Sequence, residues 1–207
     1  MLQDINFQFI ENKSYFLFGR TGIGKSLLLD SIAGLYKNYS GEIKSLKQNQ
    51  VQSYLFQKNA LVPWLTVREN LKLVCSIDSK IFEGYLEKFD LLSILNKKAA
   101  LLSGGEIQVV NLIRGLILKP KVIFSDEPFS SIDHVTKLKA YQILKEYLAE
   151  NLTTLIAVSH DLEEICLMAD EVLFFDHLKK GLVTSLPKEK ISIKNLYGLL
   201  SGVELDI

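Results

Sequence analysis

The run Gly19-Arg20-Thr21-Gly22-Ile23-Gly24-Lys25-Ser26 fits the pattern G-x-x-x-x-G-K-[ST]. It follows a short apolar, β-rich stretch and opens a segment of helical periodicity. Glycines at these places let the backbone curl so that successive N–H groups point inward at phosphate oxygens. The helix start behind them adds the positive end of its dipole. Lys25 has the charge and reach to bridge outer phosphates, and the Ser26 hydroxyl can hold Mg²⁺. Leu27 continues the turn. A bare glycine turn before a helix is the competing reading, and the strand–loop–helix setting argues against it.

A second constellation lies at Val122-Ile123-Phe124-Ser125-Asp126-Glu127, where two carboxylates end a hydrophobic run. In a parallel sheet, ligands bind at the carboxyl ends of strands, where the phosphate loop also belongs. Asp126 can then coordinate Mg²⁺, directly or through water, and Glu127 can polarise an attacking water. Adjacent acids repel, so the pair asks for a cation or a raised pKa. Without the phosphate loop, a solvated strand-end turn is an equally good reading of the same residues.

Elements that could position these groups follow from periodicity. Strands are expected at Ile5 to Ile10, Ser14 to Phe18, Glu42 to Leu46, Val51 to Phe56, Val122 to Ser125, Thr154 to Val158 and Val172 to Phe175. Helices are expected at Lys25 to Gly34, Thr66 to Cys75, Lys80 to Phe89, Ser103 to Lys119, Val135 to Leu148 and Leu162 to Met168. Thr66 with Glu69, and Ser103 with Glu106, have capping-box spacing. The pattern predicts an α/β fold with a mainly parallel sheet, a small antiparallel β portion at the N-terminus, and a helical insertion over roughly 60–118. One domain over 1–207 is expected.

Composition narrows the function classes. The chain has 207 residues, 48% of them hydrophobic, which suits one substantial core. Lys+Arg and Asp+Glu are both 24, so the net charge is zero and nucleic acid is an improbable main partner. Neither a secretory leader nor an apolar stretch near the ~20 residues of a membrane span is visible. Cys75 and Cys166 have no partners at metal-ligand spacing and read, with Phe174 and Phe175, as core.

Leu102-Ser103-Gly104-Gly105-Glu106, with Gly105 lying 21 residues before Asp126, brings a resemblance into view. The chain is similar to the ATP-binding subunit of an ABC transporter, a P-loop ATPase. Its Leu-Ser-Gly-Gly run, with Gln108 and Arg114, resembles that family's signature helix, and Phe56-Gln57 its Q-loop. Val122 to Asp126 resembles the Walker B strand and Glu127 the catalytic glutamate. Ser130-Ser131-Ile132-Asp133 resembles the D-loop, and Ser159-His160-Asp161 the segment with the switch histidine. The motifs keep family order from residue 4 to about 176.

The resemblance implies an ATPase that binds ATP and Mg²⁺. Gly19 to Leu27, Gln57, Ser103 to Glu106 and Asp133 would meet the nucleotide. Ser26, Gln57 and Asp126 would hold the metal, and Glu127 and His160 would serve hydrolysis. It also implies a head-to-tail dimer, each ATP lying between one phosphate loop and the partner's signature, docked on permease subunits at the cytoplasmic face of the inner membrane. A solute-binding protein would belong to the same system. The run Leu61-Val62-Pro63-Trp64-Leu65-Thr66 is similar to importer ATPases of the nitrate, sulfonate, taurine and thiamine-precursor group, where this region meets the permease. Trp64 and Leu65 are anchor-type contact residues. Departures are Glu106 for the commoner Gln, Val109 for Arg, and Ser125 for an apolar residue. The family's adenine-stacking aromatic would lie upstream of Asp4 and is expected to be missing. A switch module with weak hydrolysis is the alternative reading.

Overall fold

Along Ser14–Gly19 every residue is buried, and the side chains point alternately to two sides. Phe16 and Phe18 join one apolar cluster, whereas Leu17 joins the other. This strand, β1, is therefore covered on both faces, which explains why its sequence is continuously apolar. The computed structural model describes residues 2–44, 50–56, 60–74, 79–129, 132–176 and 181–202.

The other strands are β2 (Gln52–Leu55), β3 (Val122–Asp126), β4 (Thr154–Val158), β5 (Glu171–Asp176) and β6 (Gly181–Pro187). They form one sheet in the order β2-β3-β4-β1-β5-β6. All neighbours are parallel except β5 and β6. Helix α1 (Lys25–Ile32) covers one face, and Leu29 packs there with Leu17, Phe124 and Phe175.

Between β2 and β3 the chain is helical: α2 (Val67–Lys72), α3 (Ser79–Lys88), two single 3-10 turns and α4 (Gly104–Ile117). Helix α4 buries Val109, Val110, Leu112 and Ile113. Val109 is 0% exposed, which accounts for an apolar residue there. At Gly115 an added Cβ would stand 2.6 Å from Leu55 Cδ2, so the glycine lets α4 lie directly against β2. Helices α5 (His134–Asn151), α6 (Leu162–Met168) and α7 (Ile193–Ser201) complete the chain. Leu144, Ile165 and Leu196 contribute to the second face's cluster.

The α/β class and mainly parallel sheet agree with the sequence reading; the place of the antiparallel part does not. Residues 2–13 contain no strand. Ile5, Phe7 and Phe9 do turn inward onto the α1 face, and Phe7, Phe9 and Tyr15 meet edge to face. The period-2 pattern is real, but side-chain packing satisfies it without a backbone ladder. Antiparallel pairing is found instead between β5 and β6. The expected strand at Glu42 to Leu46 is absent at residues 42–44, and 45–49 lie outside the described residues, as does Cys75. Cys166 is exposed on α6 rather than buried, whereas Phe174 and Phe175 are core.

Candidate functional site

The strand order assembles the site. β1, β4 and β3 lie side by side and parallel, so their carboxyl ends share one edge of the sheet. Asp126 is in register with Val158, and the Glu127 amide donates to the Val158 carbonyl at 3.1 Å. Residue 127 has φ +45°, an uncommon conformation for a non-glycine residue and one that turns it out of the strand. Its carboxylate Oε1 lies 3.2 Å from Nε2 of His160, on the loop after β4.

The phosphate loop stands beside them. Gly19, Gly22 and Gly24 have φ of 146°, 81° and 111°. A Cβ at Gly19 would collide with the Phe175 carbonyl oxygen, so β1 can approach β5 only with glycine there. Gly24 caps α1 with no side-chain acceptor, leaving the first-turn N–H groups for an anion. Lys25 is 4% exposed. Its Nζ donates to the carbonyls of Gly19 at 2.8 Å and Arg20 at 2.9 Å, fixing the ammonium inside the loop's curl. Burial pushes its pKa down, against the opposing pull of Glu127 and Asp126. Ile23 is buried and anchors the loop to the α1-face cluster, while Arg20 and Thr21 are exposed.

Ser26 Oγ donates to Asp126 Oδ1 at 3.0 Å. Burial raises the Asp126 pKa; the Ser26 hydrogen bond opposes this, and Glu127 adds to it. Two hard oxygen donors thus converge beside the phosphate loop. This set fits Mg²⁺, which takes one or two protein oxygens and completes its shell with phosphates and water. Among the described residues no group of three or more His, Cys, Asp or Glu could hold a metal by itself. A pocket of about 440 Å³ opens over these groups, lined by Thr21, Gly22, Gly24 to Leu27, Asp126, Glu127, Val158 and His160. That volume suits a drug-sized or nucleotide-sized ligand.

Other expected site residues do not line this pocket. Ser103 caps α4 and accepts from the Glu106 amide at 3.2 Å; Glu106 Oε2 accepts from the Ser103 amide at 2.6 Å. Lys97 sits 3.6 Å from the same oxygen. The capping box is therefore real, and Ser103 and Gly104 are exposed at its tip, with Gly105 half-buried. Asp133, exposed, caps α5 by accepting from the Thr136 amide at 3.0 Å. Gln57, Ser130 and Ser131 lie outside the described residues.

Trp64 is 72% exposed, yet its loop is firmly held. Buried Asn70 accepts from the Val62 amide at 2.7 Å and donates to the carbonyls of Val62 and Thr66. The Ala100 amide also donates to the Pro63 carbonyl. The tryptophan is therefore not a core residue, and its type and exposure are those of an interface anchor. Nearby, Arg114 donates to the Ala60 carbonyl at 2.6 Å.

A glycine-rich loop between a parallel strand and a helix, facing an acidic strand end, defines a P-loop nucleotide-binding α/β protein. Residues 2–130 match the family described as ABC transporter. The aliphatic sulfonates import ATP-binding protein SsuB 2 of Pseudomonas syringae pv. tomato is 33% identical over 189 residues, covering 90% of this chain and 81% of the relative. SsuB of Zymomonas mobilis is 32% identical, covering 94% of this chain and 84% of its own. Among solved structures, an ATP-binding subunit of an ABC transporter superposes with a TM-score of 0.81 at 21% identity, covering 97% and 92% of the two chains. The dimeric bacterial ABC transporter cassette MJ0796 gives 0.78 at 25% identity, with 90% of each chain covered. The chain belongs to the ABC transporter family, as an ATP-binding subunit, and is an ABC-type ATPase.

One group of site-adjacent residues carries no signal in the sequence: Lys137, Tyr141 and Glu164, which bond to Ser159 and Asp161 on either side of His160. They come from two helices and meet only through the fold. A carboxylate in the first turn of α6 reads as a solvated helix start, so nothing set Glu164 apart.

Proposed function

We propose that the chain powers solute import through an inner-membrane permease by hydrolysing ATP in a head-to-tail dimer. One observation carries this reading. The phosphate loop, Asp126, Glu127 and His160 share a pocket, while Ser103 to Glu106 and Asp133 form helix starts outside it, with Ser103, Gly104 and Asp133 exposed. Each pocket is then completed by the signature of a second copy. Lys25 and the loop amides from Gly19 to Leu27 bind the phosphates, and Arg20 and Thr21 flank them. Ser26, Asp126 and Gln57 would hold Mg²⁺, which would supply charge neutralisation at the outer phosphates. Glu127 orients the attacking water and accepts its proton, and His160 binds the γ-phosphate end and holds the Glu127 carboxylate in place.

The helical stretch over roughly 60–118 forms the subdomain that meets the permease, with Trp64 as the anchor. A solute-binding protein outside the membrane completes the system, and sulfonate-like anions are the solute class that the similar import proteins suggest. Substituting Glu127→Gln tests the site. The variant should bind ATP and form stable dimers by light scattering while hydrolysis drops by about 10²–10³-fold. Dimerisation unaffected by ATP, or normal turnover, overturns the reading.

A further inference from the structure

His160 sits between two residues that are both tied to the protein interior. On one side, Ser159, 2% exposed, donates its hydroxyl to Glu164 Oε2 at 2.6 Å. On the other, Asp161 Oδ2 accepts from Lys137 Nζ at 3.0 Å and from the Tyr141 hydroxyl at 3.2 Å. Ser159 Oγ also accepts from the Asp161 amide at 3.0 Å, closing the turn on itself. Asp161 Oδ1 meanwhile caps α6 through the amides of Glu163 and Glu164. Glu164 is 4% exposed. A carboxyl this deep is costly unless hydrogen-bonded, and an apolar residue would serve packing as well.

The same network reaches the acidic strand end. Tyr141 meets Phe129, two residues beyond Glu127, edge to face at 5.5 Å between ring centroids. Lys137 lies one turn along α5 from its cap, Asp133. Both loops of the site thus lean on one face of α5.

We propose that Glu164 is a positioning residue for His160: by taking the Ser159 hydroxyl it locks the turn Ser159-His160-Asp161 against α5, with Lys137 and Tyr141 as the second clamp. This rests on the reading of His160 as a γ-phosphate contact. Burial drives the Glu164 pKa up to about 7, but Oε2 accepts from Ser159 in either protonation state. The role is therefore geometric, and an amide can replace the acid.

Steady-state ATP hydrolysis by the full chain tests it. Glu164→Leu should lower kcat about tenfold or more and leave KM for ATP within about twofold, because the loss falls on a transition-state contact. Glu164→Gln should recover most of the rate. In a His160→Ala background, Glu164→Leu should cost nothing further, since both changes remove one function. Should Glu164→Leu fold poorly, Ser159→Ala and Lys137→Met carry the same comparison. Additive losses in the double variant, or a Gln variant as slow as Leu, overturn the positioning role alone. Wild-type turnover in His160→Ala overturns the reading of the site, and the proposal with it.

Discussion

Ser26 at the first turn of α1 and Asp126 at the last residue of β3 are joined by a 3.0 Å hydrogen bond across 100 positions of sequence. The hydroxyl that follows the phosphate-loop lysine and the first strand-end carboxylate are therefore preset for one cation. Asp126→Asn should retain the fold but lose the Mg²⁺ dependence of ATP binding, measured by titration with and without the metal. Undiminished Mg²⁺ enhancement would remove Asp126 from the metal site.

Lys25 is useful to a phosphate only as an ammonium, and burial lowers its pKa. ATP affinity should therefore begin to fall, as pH rises, below the range in which an ordinary lysine deprotonates. Lys25→Arg, whatever its residual affinity, should move that limb upward, because a guanidinium stays charged above about pH 12. An unmoved limb would assign it to another group.

Gly19 tolerates no side chain, because β1 passes so close to Phe175. Gly19→Ala should destabilise the protein by more than about 3 kcal/mol in urea unfolding. Gly34, at φ 77° with open space around it, gives the control: Gly34→Ala should cost about 1 kcal/mol. Equal costs would show that the steric argument is wrong.

At the start of α2, Thr66 accepts from the Glu69 amide at 3.2 Å and Glu69 accepts from the Thr66 amide at 2.7 Å. This second capping box has the geometry of the Ser103–Glu106 one, and the two separate structure from function. Thr66→Ala and Ser103→Ala should each cost about 1 kcal/mol of stability. Only Ser103→Ala should also impair ATP-dependent dimerisation and hydrolysis. Loss of dimerisation in Thr66→Ala alone would misplace the signature.

Trp64, exposed on a rigid loop, packs against little of its own chain. Trp64→Ala should change stability by less than about 0.5 kcal/mol, yet reduce co-purification with the permease. A large drop in melting temperature would instead make it a packing residue.

Glu164 gives stability a pH slope of defined sign. Its folded pKa, about 7, lies above the ordinary 4.5, so between those values the folded state holds the extra proton. The stability this brings is present at low pH and is lost as pH rises through 7, by on the order of 3 kcal/mol. Its polar neighbours Ser159, Tyr141, Asp161 and Lys137 remain in Glu164→Gln, which should flatten the slope between pH 5 and 8 in urea midpoints. Desolvation also raises the Asp126 pKa, a contribution of the same sign.

The site was legible where chemistry demands particular residue types in local order. A phosphate loop needs its glycines and lysine within eight positions, so Gly19 to Ser26 announced itself, as did Asp126 and Glu127 at a strand end. Both capping boxes were readable because a cap is a contact between residues three apart. What escaped depends on distant partners. Ile5, Phe7 and Phe9 alternate like a strand, but among the described residues no neighbour offers them a ladder. Strand β6 and helix α7 lie beyond the last family motif, although Ser192 caps α7 and Gly202 ends it as sequence rules prescribe. Glu164 was invisible because its burial is set by α5, not by α6. Cys166 was misplaced because hydrophobic composition does not say which side of a short helix faces water.

The order of strands in the sheet has a consequence for synthesis. β1 carries the phosphate loop, yet its sheet neighbours are β4 and β5, with Ser14 opposite Leu155 and Tyr15 opposite Glu171. A ribosome-bound chain that stops before Thr154 holds an intact phosphate-loop sequence with neither β4 nor β5 to lie beside. Closing so long a loop is a late event. Nucleotide can therefore find its cradle only once β4 and β5 have emerged to flank β1.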